Sequence, residues 1–109
     1  MRGEIDRHIS DPTFSLERYL NSLPLNSDYV RKLFKEKTGI SPHAYLHGKR
    51  MDLAQILLSS HTSNKYSEYS VAQLAEACGF ADPLYFSRAF KKQFGLSPTE
   101  YRLKLKASP

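Results

Sequence analysis

The sequence predicts an all-α chain in which seven helices form two helix-turn-helix subdomains joined by a linker helix. Three observations carry that expectation. Helix start and stop signals recur along the chain, as Ser-Pro or Asp-Pro pairs at starts and Gly after Lys-rich stretches. No segment alternates apolar and polar residues with period two for long enough to make a strand. A long internal repeat returns at an offset of 56 residues.

Each element follows in order. The first helix is expected at 4–10, before an irregular connection around Pro12. The second spans 16–22 and the third 27–38, which Gly39 closes as a C-cap behind Lys35 and Lys37. Ser41-Pro42 opens the linker helix, 42–59, with Ser as N-cap and Pro at the first helical position. The stretch that follows is rich in Ser, Tyr and Asn and reads as an exposed loop. Ser70 and Gln73 have capping-box spacing and start a helix at 71–78. Asp82-Pro83 opens 83–94, Gly95 ends it, and Ser97-Pro98 opens 98–106. The implied organisation is a first subdomain at 1–40, a linker helix at 41–60, a loop at 61–69 and a second subdomain at 70–109.

At 109 residues the chain is one small domain by length, short for a typical enzyme. With 40% hydrophobic residues, seven Tyr and six Phe, it has enough apolar surface to pack. The single cysteine, Cys78, has no partner for an internal disulfide and fits a reducing interior. No apolar run approaches the ~20 residues needed to cross a bilayer. These features place the chain in the cytoplasm, without a membrane role. The net charge of +5 is concentrated: 29–50 holds six basic residues and one acid, and so does 88–106. The rest of the chain carries four basic and nine acidic residues. Two separate positive segments suit a polyanion such as double-stranded DNA.

The repeat locates that charge. Tyr29-Val30-Arg31-Lys32-Leu33-Phe34-Lys35 matches Tyr85-Phe86-Ser87-Arg88-Ala89-Phe90-Lys91, and Gly39-Ile40-Ser41-Pro42 matches Gly95-Leu96-Ser97-Pro98. Tyr45 and Tyr101 keep the same offset, while Leu16 pairs with Val71 and Leu20 with Ala75 at 55, so the second turn has one extra residue. In the first copy Val30, Leu33 and Phe34 fall on one side of a helix; Ser27, Asp28, Arg31, Lys32 and Lys35 fall on the other. In the second, Phe86, Ala89 and Phe90 face inward, Tyr85 lies at the edge, and Leu84, Ser87, Arg88, Lys91 and Lys92 face outward. A helix of this width fits the major groove, where Arg donates to guanine edges and Lys mostly finds phosphate. The 18-residue linker would span roughly 27 Å, a length compatible with major-groove entries ~34 Å apart.

These motifs resemble the AraC-type transcription regulators from about residue 5 to residue 102. The matching residues include the two repeat segments, then Arg50, Ala54 and Leu57-Leu58, and Leu74-Ala75-Glu76-Ala77-Cys78-Gly79-Phe80. The resemblance implies two recognition helices entering successive major grooves of an asymmetric promoter site. By position it makes Ser27, Asp28, Arg31 and Lys32 base readers in the first unit, and Pro83, Leu84, Ser87 and Arg88 in the second. Lys35 and Lys91 become contacts to the DNA backbone, and Lys92 on the same outer face joins them. It further implies an activator that touches RNA polymerase, with an effector or receiver domain on the N-terminal side. Three departures stand out: Leu20 replaces a small residue, Pro24-Leu25 replaces a common Gly, and 59–69 is longer than usual. Leu84 can offer only an apolar contact, such as to a thymine methyl group.

Two other readings compete. An enzyme or metal protein would need donors beyond the i, i+4 pair His43 and His47, and no Glu, Asp or Cys nearby completes a set. Cys78 sits in the apolar pattern of Leu74, Ala77 and Phe80, as a buried thiol would. Neither a phosphate loop nor paired carboxylates are present, so no catalytic residue and no cofactor are expected. The remaining alternative is a helical protein-interaction module for an acidic partner.

Overall fold

The computed structural model describes residues 2–59 and 69–107. Among these, all regular structure is helical: α1 Arg2–Arg7, α2 Leu16–Ser22, α3 Ser27–Thr38, α4 Pro42–Ser59, α5 Val71–Ala77, α6 Pro83–Phe94 and α7 Pro98–Ala107. The loop expected at 61–69 lies, apart from Tyr69, outside the described residues.

The helix ends form where local chemistry allows. Ser15 and Ser70, one per copy, cap α2 and α5 by accepting from the backbone N–H three residues on. Gln73 returns a bond to the Ser70 N–H at 2.8 Å, completing the anticipated capping box. Asn26 and Asp82 cap α3 and α6 in the same way, each accepting two backbone N–H bonds. Gly39 and Gly95 close those two helices in the left-handed conformation, at φ 85° and 82°.

Helix α1 ends earlier than its sequence suggests, and the segment after it is held from a distant part of the chain. Arg50 of α4 donates from Nε to the Ile9 carbonyl at 2.9 Å and from Nη2 to the Asp11 carbonyl at 3.0 Å. The guanidinium thus satisfies backbone carbonyls of the irregular segment that follows α1. Burial in this position lowers the Arg50 pKa from its usual value, with Asp11 acting in the opposite direction. The turn before α6 closes over the same brace, because Gly79, at φ 88°, lies against the Ile9 carbonyl and Arg50.

Two apolar clusters form, and α4 serves both. Ile5, Phe34 and Leu46 make the first, with Ile9, Phe14, Leu16 and Tyr45 packed around them. Met51, Ala54 and Leu58 of α4 join Leu74, Ala75, Cys78, Phe80, Phe86 and Phe90 in the second. The repeat holds in three dimensions. Phe34 meets Tyr45 edge-on at 5.6 Å, and Phe90 meets Tyr101 edge-on at 5.5 Å. Tyr45 donates its hydroxyl proton to Asp6 on α1 at 2.7 Å, and the Tyr101 hydroxyl pairs with Ser59 on α4 at 2.9 Å. Helix α1 therefore stands to the first unit as the end of α4 stands to the second.

The sequence departures have visible consequences. Leu20 is fully buried, like its counterpart Ala75, so the first unit accommodates the larger side chain inside. The first turn leaves α2 through Leu23 in extended geometry, φ −73° and ψ 148°. Its path differs from that of the second turn, which uses the positive φ of Gly79.

Candidate nucleic-acid interface

Helices α3 and α6 each bury one apolar stripe and turn a polar, mostly basic face outward. Val30 and Phe34 anchor α3, while Phe86 and Phe90, both fully buried, anchor α6. Burying each Phe contributes ~1.5–3 kcal/mol, enough to fix the rotation of a 12-residue helix about its axis. The opposite face of α3 carries Asp28, Lys32 and Lys35, all exposed, with Ser27 and Arg31 partly exposed. That of α6 carries Pro83, Leu84, Arg88, Lys91 and Lys92 exposed, with Ser87 partly covered. The candidate positions are thus accessible within each helix. Leu84 is 58% exposed, so its side chain is accessible on the outer face of α6.

Two features were not visible in the sequence. Arg31 is not free: it bonds Glu17 of α2 at 2.7 Å and Asp28 at 3.4 Å. A 14-residue separation gives such a pair no local signature. In the second unit, a groove of about 570 Å³ runs beside α6, lined by His47, Tyr85, Arg88, Ala89, Lys92 and Gln93. His47 of α4 stands edge-on to Phe80 and Tyr85, at 6.0 and 6.1 Å between ring centres. Burial, then His43 and Arg50 nearby, lower its pKa from the usual histidine value. A neutral imidazole therefore borders the basic edge formed by Arg88 and Lys92. Its position against aromatic rings came from packing across helices, which helical spacing alone did not predict.

Cys78 is buried, and burial pushes its thiol up to about 12, so it is protonated at neutral pH. Among the described residues, no three His, Cys, Asp or Glu side chains are grouped to hold a metal ion. Among the same residues, no helix is long and apolar enough to cross a membrane.

Known proteins share this architecture. A family profile described as a helix-turn-helix domain matches residues 19–104. The arabinose operon regulatory protein of Escherichia coli K12 is 33% identical over 98 residues, covering 90% of this chain and 32% of its own length. The regulator CdhR of Pseudomonas aeruginosa is 34% identical over 107 residues, covering 96% of this chain and 30% of its own. The chain thus spans about a third of these curated relatives. Among solved structures, the C-terminal domain of the response regulator yesN from Fusobacterium nucleatum superposes with a TM-score of 0.78 at 35% identity. That match covers 93% of this chain and 92% of the other. The DNA-binding domain of AdpA, solved in complex with a target DNA, gives 0.76 at 29% identity over 96% and 92% of the two chains. With two repeated helix-turn-helix units, two basic outer faces and these matches, the chain belongs to the AraC-type family of DNA-binding transcription regulators.

Proposed function

We propose that this chain binds an asymmetric promoter site with α3 and α6 in successive major grooves of one duplex. In this reading Ser27, Asp28, Arg31 and Lys32 read bases in one block, and Pro83, Leu84, Ser87 and Arg88 read the other. Lys35, Lys91 and Lys92 hold the phosphate backbone. The division of labour follows donor chemistry: the planar guanidinium of Arg matches a guanine edge, whereas Lys acts as a point charge. The supporting observation is that both helices expose corresponding polar positions while burying Val30 and Phe34 in one and their counterparts Phe86 and Phe90 in the other. The AdpA domain, with the same fold, was crystallised on a target DNA.

The two subdomains are assigned as 1–40 and 70–109, with 41–60 connecting them. The relatives are about three times longer than this chain, and the yesN match is a C-terminal domain. An effector-sensing or receiver domain on the N-terminal side is the partner these facts suggest. RNA polymerase is the second protein partner, contacted during activation in the cytoplasm.

Selection of bound duplexes from a random pool tests the core of this reading. Two enriched blocks about 10 base pairs apart are expected, the spacing of successive turns on one face of DNA. Arg88→Ala should cost ~1–3 kcal/mol and relax preference at one or two base pairs. Lys91→Ala should weaken binding to all duplexes and reduce the salt slope by about one phosphate. A single enriched block would remove one helix from the reading. No enrichment by the folded chain would favour an acidic protein partner instead.

A further inference from the structure

Arg31 sits on the exposed face of α3 but is held from two sides. Its Nη2 donates to Glu17 Oε1 at 2.7 Å and its Nη1 to Asp28 Oδ1 at 3.4 Å. The Arg31 side chain is 33% exposed, against 74% for Glu17 and 92% for Asp28. Asp28 is one turn earlier on the same helix, whereas Glu17 belongs to α2, so that bond spans the helix-turn-helix. Among the described residues the second unit has no equivalent pair at these positions. Ala72 occupies the place of Glu17 and Ser87 that of Arg31, and neither carries charge.

We infer that Glu17 is a positioning residue for base recognition, fixing the Arg31 guanidinium so that its free donors face the groove as a preset fork. This rests on the reading that α3 lies in the major groove. A guanidinium has five N–H donors in one rigid plane. Glu17 and Asp28 take one each, on different terminal nitrogens, which leaves three, the Nε–H among them. A guanine edge needs two, for O6 and N7. A free arginine must surrender rotamer freedom when it binds, and Glu17 removes that freedom beforehand. An exposed ion pair adds little to folding, so its consequence is geometric rather than a matter of stability. The two carboxylates also offset the Arg31 charge and repel phosphate. Arg31 is thereby weakened as a general phosphate contact and kept as a base reader. The first unit gains selectivity at the expense of nonspecific affinity, and the second, lacking the pair, does not.

The test compares the duplex enriched from the random pool with one in which the guanine of the first block is replaced, at fixed salt. Wild type, Glu17→Ala, Glu17→Gln, Arg31→Ala and the Glu17→Ala/Arg31→Ala double variant are measured on both and on an unrelated duplex. Glu17→Ala should lower discrimination against the replaced base by about tenfold, within the range of one bidentate contact. Binding to the unrelated duplex should strengthen, because a negative charge has left the interface. Glu17→Gln still accepts the hydrogen bond without the charge. It should keep most of the discrimination while showing the same gain on unrelated DNA. In the Arg31→Ala background, Glu17→Ala should change discrimination no further. Wild-type discrimination in Glu17→Ala, or an equal loss with Arg31 already removed, would overturn the inference. Unchanged discrimination in Arg31→Ala would overturn both the inference and the placement of Arg31 in the groove. Since Glu17 is exposed, circular dichroism should show all variants folded.

Discussion

Gly79→Ala should destabilise the protein far more than the same change at Gly95. Both glycines have positive φ, 88° and 82°, so either alanine meets the left-handed penalty of ~1–2 kcal/mol. At Gly95 nothing lies within 4 Å of the added methyl, and the cost stops there. At Gly79 the methyl would overlap the Ile9 carbonyl oxygen and stand 2.6 Å from Arg50 Nε. Neither neighbour can yield cheaply, since each holds the other through the 2.9 Å bond from Arg50 to Ile9. Breaking one hydrogen bond to a charged group costs roughly 1.5–3 kcal/mol more. The expected loss is therefore ~2.5–5 kcal/mol at Gly79 and ~1–2 at Gly95. Total stabilities of 5–15 kcal/mol are typical, so the first is a large fraction of what holds the chain folded. Urea titration followed by circular dichroism measures both, with midpoint shifts read at constant slope. Equal losses at the two glycines would refute the argument, because the turn would then relax around the methyl without disturbing the brace.

Two titration predictions follow from burial. Cys78 has its folded-state pKa raised from 9.0 to about 12, so stability should be complete below pH 9 and fall as pH rises above it. A thiol reagent at pH 8 should accordingly react only after denaturant is added. His47 has its folded-state pKa lowered from 6.5, so the unfolded chain binds the proton more readily and stability should drop as pH falls through that region. His47→Gln should flatten this acid limb in denaturant midpoints measured from pH 7 to 5, whereas an unchanged limb would assign it to other groups.

Much of the fold was legible because its signals are short-range. Ser70 with Gln73, Asp82-Pro83, Gly39 and Gly95 act within one turn of helix, and the structure places helix ends at or beside them. The repeat seen in the sequence returns in the tertiary packing, where Phe34 meets Tyr45 as Phe90 meets Tyr101. What escaped depends on partners far apart in sequence. Arg50 reaches Ile9 and Asp11 across 41 and 39 residues and ties down the segment after α1. Glu17 reaches Arg31 across the turn and changes what an exposed arginine can do. His47 looked like half of an i, i+4 pair with His43. The rings it packs against, Phe80 and Tyr85, arrive from beyond the next helix. Periodicity marked which faces were outward, and it could not show which outward charges were already engaged.

Helix α4 lends Leu46 to one apolar cluster and Met51, Ala54 and Leu58 to the other. It is a party wall between two rooms, and neither room stands without it. Loss of helix at either end of α4 exposes the core at that end. Because the segment is one continuous helix, the damage propagates towards the other core along the same backbone hydrogen bonds. The two units should therefore melt together, even though each has its own caps, turn and recognition helix. A repeated sequence is in this way expected to unfold as a single cooperative unit, with one transition where two similar halves would suggest two.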